Sequence, residues 1–232
     1  MLRIKNWLKG LFRQEDLASL VYLEVLLGIL FSLWSVLIFI YVTNIVTLGK
    51  TDAWDSYILQ AIISTRSNVL TPVMKVFSFL GSEAIIFGSV VAIIFLGLRK
   101  HRKEAFIFTI ILIMGLLATI FLKTSYEIPR PVVDAIRVEE SFSYPSGHAI
   151  NSLLFYSTLS YFVFHFTKSL TKTIISFTLT GILISLIGIS RIYLGVHYPS
   201  DVIAGYIAGF WLFVTIILID KTVEYFRIIR EK

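Results

Sequence analysis

The sequence has no cysteine and few charged residues, and each shortage narrows the class of protein. Without cysteine the 232-residue chain forms no disulfide and offers no thiolate ligand to a metal ion. Charged residues make up only 16% of the chain, hydrophobic residues make up 56%, and the mean hydropathy is +0.83. Soluble domains carry about 25% charged residues. The composition therefore indicates an integral membrane protein.

The chain also lacks features that would divide it into domains. No Ser/Gly-rich linker, low-complexity tract or internal repeat separates its hydrophobic segments. We therefore expect a single membrane-embedded domain over residues 1–232. The net charge of +6 does not indicate nucleic-acid binding, because the basic residues are spread in small groups between hydrophobic segments. Nothing in the sequence points to an obligate protein partner.

Hydrophobic segments long enough to cross a bilayer as helices, which takes roughly 20 mostly apolar residues, recur along the chain. The segments cover residues 21–43, 82–98, 105–122, 149–166, 173–190 and 202–219. Six spans would place both termini on one side, together with 14 of the 21 Lys and Arg residues. Because short cytoplasmic loops are enriched in Lys and Arg, we expect an all-α, six-span bundle in the cell membrane with both termini in the cytoplasm.

The outer loop between the first two predicted spans contains two amphipathic stretches. Their apolar residues recur at helical spacing and are Trp54, Tyr57, Ile58, Ala61 and Ile62, followed by Val73, Val76, Phe77 and Leu80. The simpler interpretation is two helices that pack on the outer end of the bundle. The alternative is a pair of interfacial helices that guide a lipid toward a site, since Trp and Tyr are common at membrane interfaces.

Three polar stretches hold most of the unusual chemistry: KTSYEIPRP (123–131), SYPSGH (143–148) and SRIYLGVHYPSD (190–201). The alternation of six spans places all three on the outer face. Lys123, Arg130 and Arg191 would repel one another there unless an anion lay between them. A phosphate group fits this need, because guanidinium groups bind its oxygens bidentately and a lysine adds a point charge.

SYPSGH comes directly before the fourth predicted span and predicts a helix that starts near Ser146. The first N–H groups of a helix have no intrahelical partner and can bind an anion, and Gly147 would allow that anion to approach closely. Taken alone, the stretch is more typical of a turn followed by a helix N-cap.

His197 and Asp201 are four residues apart at the start of the sixth predicted span, a spacing that can bring the two side chains together on a helix. The carboxylate could accept a hydrogen bond from one ring nitrogen while the other nitrogen attacks phosphorus. His148 would then be available as a general acid. The alternative is that both histidines are ordinary loop residues and that Asp201 interacts with the helix dipole.

Together the three stretches resemble the signature of the type 2 phosphatidic acid phosphatases. The motifs are K-x(6)-R-P at 123–131, P-S-G-H at 145–148 and S-R-x(5)-H-x(3)-D at 190–201, with every position present. The resemblance implies a small membrane enzyme that uses a phosphohistidine intermediate and no metal. It also implies a role for each motif residue: Lys123, Arg130, Arg191, Ser146 and Gly147 bind the phosphoryl group, His197 is the nucleophile, Asp201 orients it, and His148 donates the proton.

A metal site is the alternative use of the same histidines, because two histidines and an aspartate can form a metal-binding triad. Further acidic residues lie in the same outer loop, namely Glu127, Asp134, Glu139 and Glu140. Three fixed cations would already provide the charge stabilisation that a metal ion gives to a phosphoryl group. We therefore expect no cofactor.

The lipid substrate is the least determined feature. A site on the outer face fits undecaprenyl pyrophosphate, which we expect by analogy, and the alternative is a phosphatidylglycerophosphate or phosphatidate phosphatase of broad specificity. A lipid phosphotransferase would share the same site. An anion transporter is the remaining alternative, but the spans contain no charge at mid-membrane and no paired broken helices.

Overall fold

The structure is a computed structural model that describes the backbone of residues 14–230 and the side chains of residue 23 and residues 25–223. The described chain is helical and contains no strand. Its helices are α1 (Gln14–Thr47), α2 (Asp52–Ile63), α3 (Leu70–Leu80), α4 (Glu83–Leu98), α5 (Arg102–Tyr126), α6 (Gly147–Thr167), α7 (Leu170–Tyr193) and α8 (Pro199–Arg230). The prediction of an all-α protein is confirmed.

Five stretches of the described chain are long and apolar enough to cross a membrane, so the protein is an integral membrane protein. They are Val25–Thr47, Leu70–Leu98, Arg102–Tyr126, Leu170–Tyr193 and Pro199–Val223. The second stretch begins earlier than predicted, because only residues 81 and 82 separate α3 from α4. The predicted span at 149–166 forms α6 but is not among the five, so the six-span count is not established by length and composition.

Helix α6 has a more polar composition than the other long helices because it lies inside the bundle. It packs against α4, α5, α7 and α8, and its buried residues include Ser152, Ser157, Thr158 and Ser160. The Ser160 hydroxyl lies 2.8 Å from the hydroxyls of both Ser176 and Thr180 on α7. Polar groups that are satisfied within the protein do not have to face lipid, and a central helix can therefore carry them.

Apolar side chains from several helices fill the space around α6. Ile111 of α5, Ile150 of α6 and Leu212 of α8 belong to one buried cluster. Phe108 of α5 and Phe155 of α6 form a second cluster with residues of α4, and their ring centroids are 5.7 Å apart. Because these clusters join α5, α6 and α8, and α6 also packs against α7, the loops that join these helices at one end are held close together.

The outer amphipathic stretches form helices, as predicted, and both helices contact the bundle, but only part of each predicted apolar stripe lies on the contacting face. Trp54 and Tyr57 of α2 are exposed, and the buried residues of that helix are Asp55 and Leu59. In α3 the side chain of Val76 is exposed, whereas Ser78 is buried. The helices therefore pack on the bundle, as the simpler interpretation predicts, and their exposed apolar residues leave the interfacial interpretation open.

Candidate active site

The three polar stretches meet at one end of the bundle, where α5 and α7 end and α6 and α8 begin. Lys123 lies in the last turn of α5, Arg191 in the last turn of α7, and Asp201 in the first turn of α8. Hydrogen bonds join residues 130, 197 and 201 with the loop at 141–146. All eight site residues predicted from the sequence lie in this region: Lys123, Arg130, Ser146, Gly147, His148, Arg191, His197 and Asp201.

His197 and Asp201 form the predicted pair, and both side chains are almost fully buried. Asp201 Oδ2 lies 3.3 Å from His197 Nδ1 and accepts hydrogen bonds from the Tyr198 N–H at 2.8 Å and the Ser143 hydroxyl at 2.5 Å. His197 Nε2 lies 3.4 Å from an Arg130 nitrogen, which can only donate. The arrangement therefore favours the tautomer with a proton on Nδ1 and a lone pair on Nε2.

The surroundings of His197 keep its imidazole neutral. Burial is the main cause that lowers the pKa of His197 well below its ordinary value of 6.5, and the positive charges of Arg191, Arg130 and Lys123 lower it further. A neutral imidazole with its Nε2 lone pair available is the form that can attack phosphorus. The cations that would bind a phosphoryl group thus also keep the adjacent histidine nucleophilic.

Backbone carbonyl groups hold two of the cations beside His197. Arg130 donates to the Ser141 carbonyl at 2.7 Å and to the Val196 carbonyl at 2.5 Å. The Lys123 ammonium group donates to the Phe142 carbonyl and, at 3.3 Å, to that of Ser143. Because carbonyl oxygens carry no net charge, these partners do not neutralise either cation, and both can still bind an anionic ligand.

Arg191 is completely buried and is fixed by two side chains that were not predicted to act in the site. Its Nη1 donates to the Ser78 hydroxyl at 2.6 Å, and its Nη2 donates to Glu139 Oε1 at 2.5 Å. Glu139 also lies 3.2 Å from Arg137. Burial acts to raise the pKa of Glu139, but the hydrogen bond from Arg191 and the neighbouring arginine charges outweigh it, so the pKa is lowered and the carboxylate is ionised.

The N-terminus of α6 places unbonded polar groups beside the same cations. Helix α6 begins at Gly147, with Ser146 as the residue before it, and a Cβ on Gly147 would lie only 2.7 Å from Thr119 Cγ2. Within the described part of the chain, five buried side-chain atoms have no hydrogen-bond partner, and four of them lie in this region: Ser146 Oγ, His148 Nε2, Arg191 Nε and Asp201 Oδ1. Since buried polar atoms are rarely left unbonded, these four indicate a polar ligand. The Ser146 hydroxyl and the Arg191 Nε can donate to an oxyanion, whereas Asp201 Oδ1 can only accept.

The metal-binding alternative receives no support from the arrangement of acidic side chains. Glu139, one of the acidic residues of the outer loop, is bound by Arg191 and Arg137. Among the residues that the structure describes, no group of three or more His, Asp or Glu side chains is placed to hold a metal ion.

Residues 104–224 match the family model described as "PAP2 superfamily". The match covers more than half of the chain. This chain belongs to the PAP2 superfamily. The predicted family and the predicted lipid phosphate hydrolase are confirmed, because the similar proteins of this superfamily reported below are lipid phosphatases by name.

Two curated PAP2 relatives differ in how much of their length they share with this chain. Phosphatidylglycerophosphatase B of Bacillus subtilis is 30% identical over 194 residues, which cover 82% of this chain and 95% of the relative. Undecaprenyl-diphosphatase of Sulfolobus acidocaldarius is 40% identical over 81 residues, 35% of either chain. The phosphatidylglycerophosphatase alternative is therefore better supported than the expected preference for undecaprenyl pyrophosphate.

Two solved structures share the PAP2 fold of this chain. The transmembrane PAP2-type phosphatidylglycerolphosphate phosphatase from Bacillus subtilis aligns with a TM-score of 0.76 and 28% identity, over 83% of this chain and 96% of that protein. Aquifex aeolicus LpxE aligns with a TM-score of 0.54 and 24% identity, over 69% of this chain and 93% of its own. The second likeness is one of fold alone.

Asp55 of α2 is a supporting residue that sequence reasoning missed. Its carboxylate accepts hydrogen bonds from the Ser200 N–H at 2.9 Å and the Ser200 hydroxyl at 2.6 Å, at the start of α8. Burial raises the pKa of Asp55, although both Ser200 bonds act in the opposite direction. Asp55 thus holds the turn that carries His197 and Asp201. Its apolar neighbours in the sequence gave no sign of a partner 145 residues away.

Replacing Asp55 by alanine is expected to lower the free energy of unfolding by about 1–3 kcal/mol, because two buried donors of Ser200 lose their acceptor. Thermal unfolding of the purified protein in detergent measures this change. Asp52→Ala is the matched control, since Asp52 lies in the same helical turn but is exposed. An Asp55→Ala protein that unfolds at the wild-type temperature would show that Asp55 does not stabilise the start of α8.

Proposed function

We propose that the protein removes the terminal phosphate from a glycerolipid, phosphatidylglycerophosphate or phosphatidate, at the outer surface of the cell membrane. The observation that carries the proposal is the convergence of three cations, the unbonded polar atoms of Ser146, His148 and Arg191, and a buried His–Asp pair on one place. The Bacillus subtilis relative, similar over almost its whole length, supports this lipid class. Undecaprenyl pyrophosphate is kept as the second candidate, supported by the shorter match.

In the proposed first step, His197 Nε2 attacks phosphorus, the bond from phosphorus to the lipid oxygen breaks, and His148 donates a proton to that oxygen. Asp201 accepts the Nδ1–H of His197 and stabilises the positive charge that the ring acquires. In the second step a water oxygen attacks the phosphohistidine, the phosphorus–nitrogen bond breaks, and His148 takes a proton from the water. Phosphate is released and His197 is neutral again.

Lys123, Arg130 and Arg191 would neutralise the phosphoryl oxygens during both steps, while Ser146 and the N–H groups at Gly147 donate hydrogen bonds. Arg191 can do so without losing its pair with Glu139, because its Nε has no partner among the described residues. Charge stabilisation by fixed cations is the role that a metal ion plays in many phosphoryl-transfer enzymes. The proposed reaction therefore contains no metal-dependent step.

An apolar groove gives the lipid a place beside the proposed general acid. It has a volume of about 590 Å³, lies between α4, α5 and α6, and reaches Gly147 and His148. The leaving oxygen must lie next to His148 to receive its proton. The hydrocarbon part of the substrate is therefore proposed to occupy this groove, in continuity with the bilayer.

The topology proposed from the sequence completes this picture. If α6 crosses the membrane together with the five apolar stretches, the site lies on the side opposite to both termini. The distribution of Lys and Arg then supports cytoplasmic termini and an outward-facing site within one domain over residues 1–232. The basic residues of the N-terminal tail, up to Arg13, lie outside the described residues.

A phosphate-release assay over a panel of lipids tests the proposed function, with the chelator EDTA present in one series. We expect a higher kcat/KM for phosphatidylglycerophosphate and phosphatidate than for undecaprenyl pyrophosphate, and the same rates with and without EDTA. The reverse order of substrates would return the assignment to undecaprenyl pyrophosphate. Activity that EDTA abolishes and one added metal restores would contradict the metal-free mechanism. If the protein releases phosphate from none of the lipids, the proposed function is wrong and the transporter alternative remains.

A further inference from the structure

Asn151 is a polar residue whose side chain has no hydrogen-bonding role in stabilising the described part of the fold. It lies in the first turns of α6 and, with His148, lines the apolar groove between α4, α5 and α6. Among the residues that the structure describes, none forms a hydrogen bond with its amide. A polar side chain in an apolar, membrane-level groove is unfavourable unless it binds something, and such residues often mark substrate sites.

The fold makes room for the Asn151 amide. Its Oδ1 lies only 2.8 Å from the position that a Cβ on Gly115 of α5 would take. Glycine at position 115 therefore leaves space over α5 for the end of the Asn151 side chain. The two hydroxyls of the groove wall are already used, because Ser89 donates to the Ile85 carbonyl at 2.5 Å and Ser82 donates to the Ser78 carbonyl at 3.1 Å.

The position of Asn151 along α6 sets the part of a substrate that it can reach. It follows His148 by three residues, which is a rise of about 4.5 Å along the helix axis and nearly one full turn. If His148 contacts the leaving oxygen, Asn151 faces atoms a few bonds further along the leaving group. In a glycerolipid phosphate these atoms include hydroxyl or ester oxygens of glycerol, whereas in a simple long-chain phosphate they are all carbon.

We infer that Asn151 hydrogen-bonds a glycerol oxygen of the leaving lipid and thereby makes the site selective for glycerolipid phosphates over unsubstituted long-chain phosphates. An asparagine amide suits this role, since it both donates and accepts hydrogen bonds and carries no charge to repel or attract the phosphate. The inference rests on the proposed function, because it takes His148 as the contact of the leaving oxygen. Asn151 is a specificity-determining residue and takes no part in the bond changes at phosphorus.

The test compares two phosphate monoesters, dioctanoyl phosphatidate and dodecyl phosphate, with purified full-length protein in detergent. Both lose an alkoxide, and only the first carries glycerol oxygens. Asn151→Leu, which keeps the shape and removes the amide, is expected to lower kcat/KM for dioctanoyl phosphatidate about 5- to 10-fold. Its kcat/KM for dodecyl phosphate is expected to stay within about twofold of wild type, because no hydrogen bond is lost with that substrate.

Two further variants keep the test decisive. Ser89→Ala removes a hydroxyl from the same groove and is expected to preserve the wild-type ratio between the two substrates. Asn151→Ser keeps a hydrogen-bonding group and is expected to preserve part of the preference for dioctanoyl phosphatidate. Equal losses on both substrates in Asn151→Leu, or no loss on either, would overturn the inference. Wild-type protein that hydrolyses neither substrate would instead overturn the proposed function.

Discussion

The His197→Ala protein is expected to lose phosphate release by on the order of 10⁴–10⁶-fold in kcat, the largest effect of any single substitution in the site. In the proposed mechanism every turnover passes through a bond between phosphorus and Nε2 of His197. Alanine removes that atom and leaves Ser143 and Asp201 without the ring that they orient. Neighbouring Arg130 and Arg191 would still bind phosphate, so inorganic phosphate is expected to inhibit residual activity as it inhibits the wild type.

His165→Ala is the matched control for this loss. His165 lies near the opposite end of α6 and forms a hydrogen bond of 3.1 Å with Glu104, far along the helix from the proposed site. Its replacement is expected to change kcat by less than about threefold, because surface and peripheral contacts contribute little to a chemical step. A His197→Ala protein that keeps within about tenfold of wild-type turnover, with an intact fold, would rule out His197 as the nucleophile.

The His148→Ala protein is expected to show a loss that depends on the leaving group. With phosphatidate the departing oxygen is an alkoxide, and loss of the general acid should reduce kcat by on the order of 10²–10⁴-fold. With a lipid diphosphate the departing group is a phosphate, which needs no proton to leave. The loss on undecaprenyl pyrophosphate is therefore expected to be at least about tenfold smaller than the loss on phosphatidate.

Steady-state kinetics with both lipids measure this difference in one preparation, and thermal unfolding shows whether the variant is folded. The position of His148 supports the expectation, because its Nε2 is buried and unbonded among the described residues and its ring lies beside the apolar groove. Equal losses on the two substrates would mean that His148 binds or positions the phosphoryl group and does not protonate the leaving oxygen.

The position of the site could be predicted from the sequence because its residues are tied to helix ends. Lys123, Gly147, Arg191 and Asp201 stand at the ends of long apolar segments, and alternation of the segments brings those ends together. The pairing of His197 with Asp201 could be predicted from their local spacing of four residues alone. Local periodicity and chain alternation are properties that a sequence displays directly.

Contacts between distant segments could not be predicted in this way. Ser78 and Glu139 hold Arg191 across 113 and 52 residues, and their neighbours in the sequence carry no pattern that identifies the partner. The environment of the stripe at Trp54 and Tyr57 stayed open for a related reason: lipid and a protein core select the same apolar residues. Periodicity alone therefore cannot tell which side of α2 faces the bundle.

Helix α6 shows the limit of hydropathy as a guide to membrane crossing. Its central position lets it bury Ser152 and Thr158 among other helices, which lowers its hydropathy without removing it from the bundle. The lipid substrate could not be predicted from the motifs either, because the motif residues are expected to contact the phosphoryl group and not the leaving group. Asn151, which distinguishes leaving groups in our proposal, lies outside every signature position.

Trapping of the phosphorylated enzyme tests the central claim most directly: that one phosphoryl group is held by Lys123, Arg130 and Arg191 and is transferred to His197. Wild-type protein is mixed with phosphatidate labelled in its phosphate, quenched with alkali within one turnover and analysed by peptide mapping. We predict one acid-labile, alkali-stable label, located on His197, and no label in the His197→Ala protein. Label on another residue, or an equal burst from the His197→Ala protein, would contradict the account.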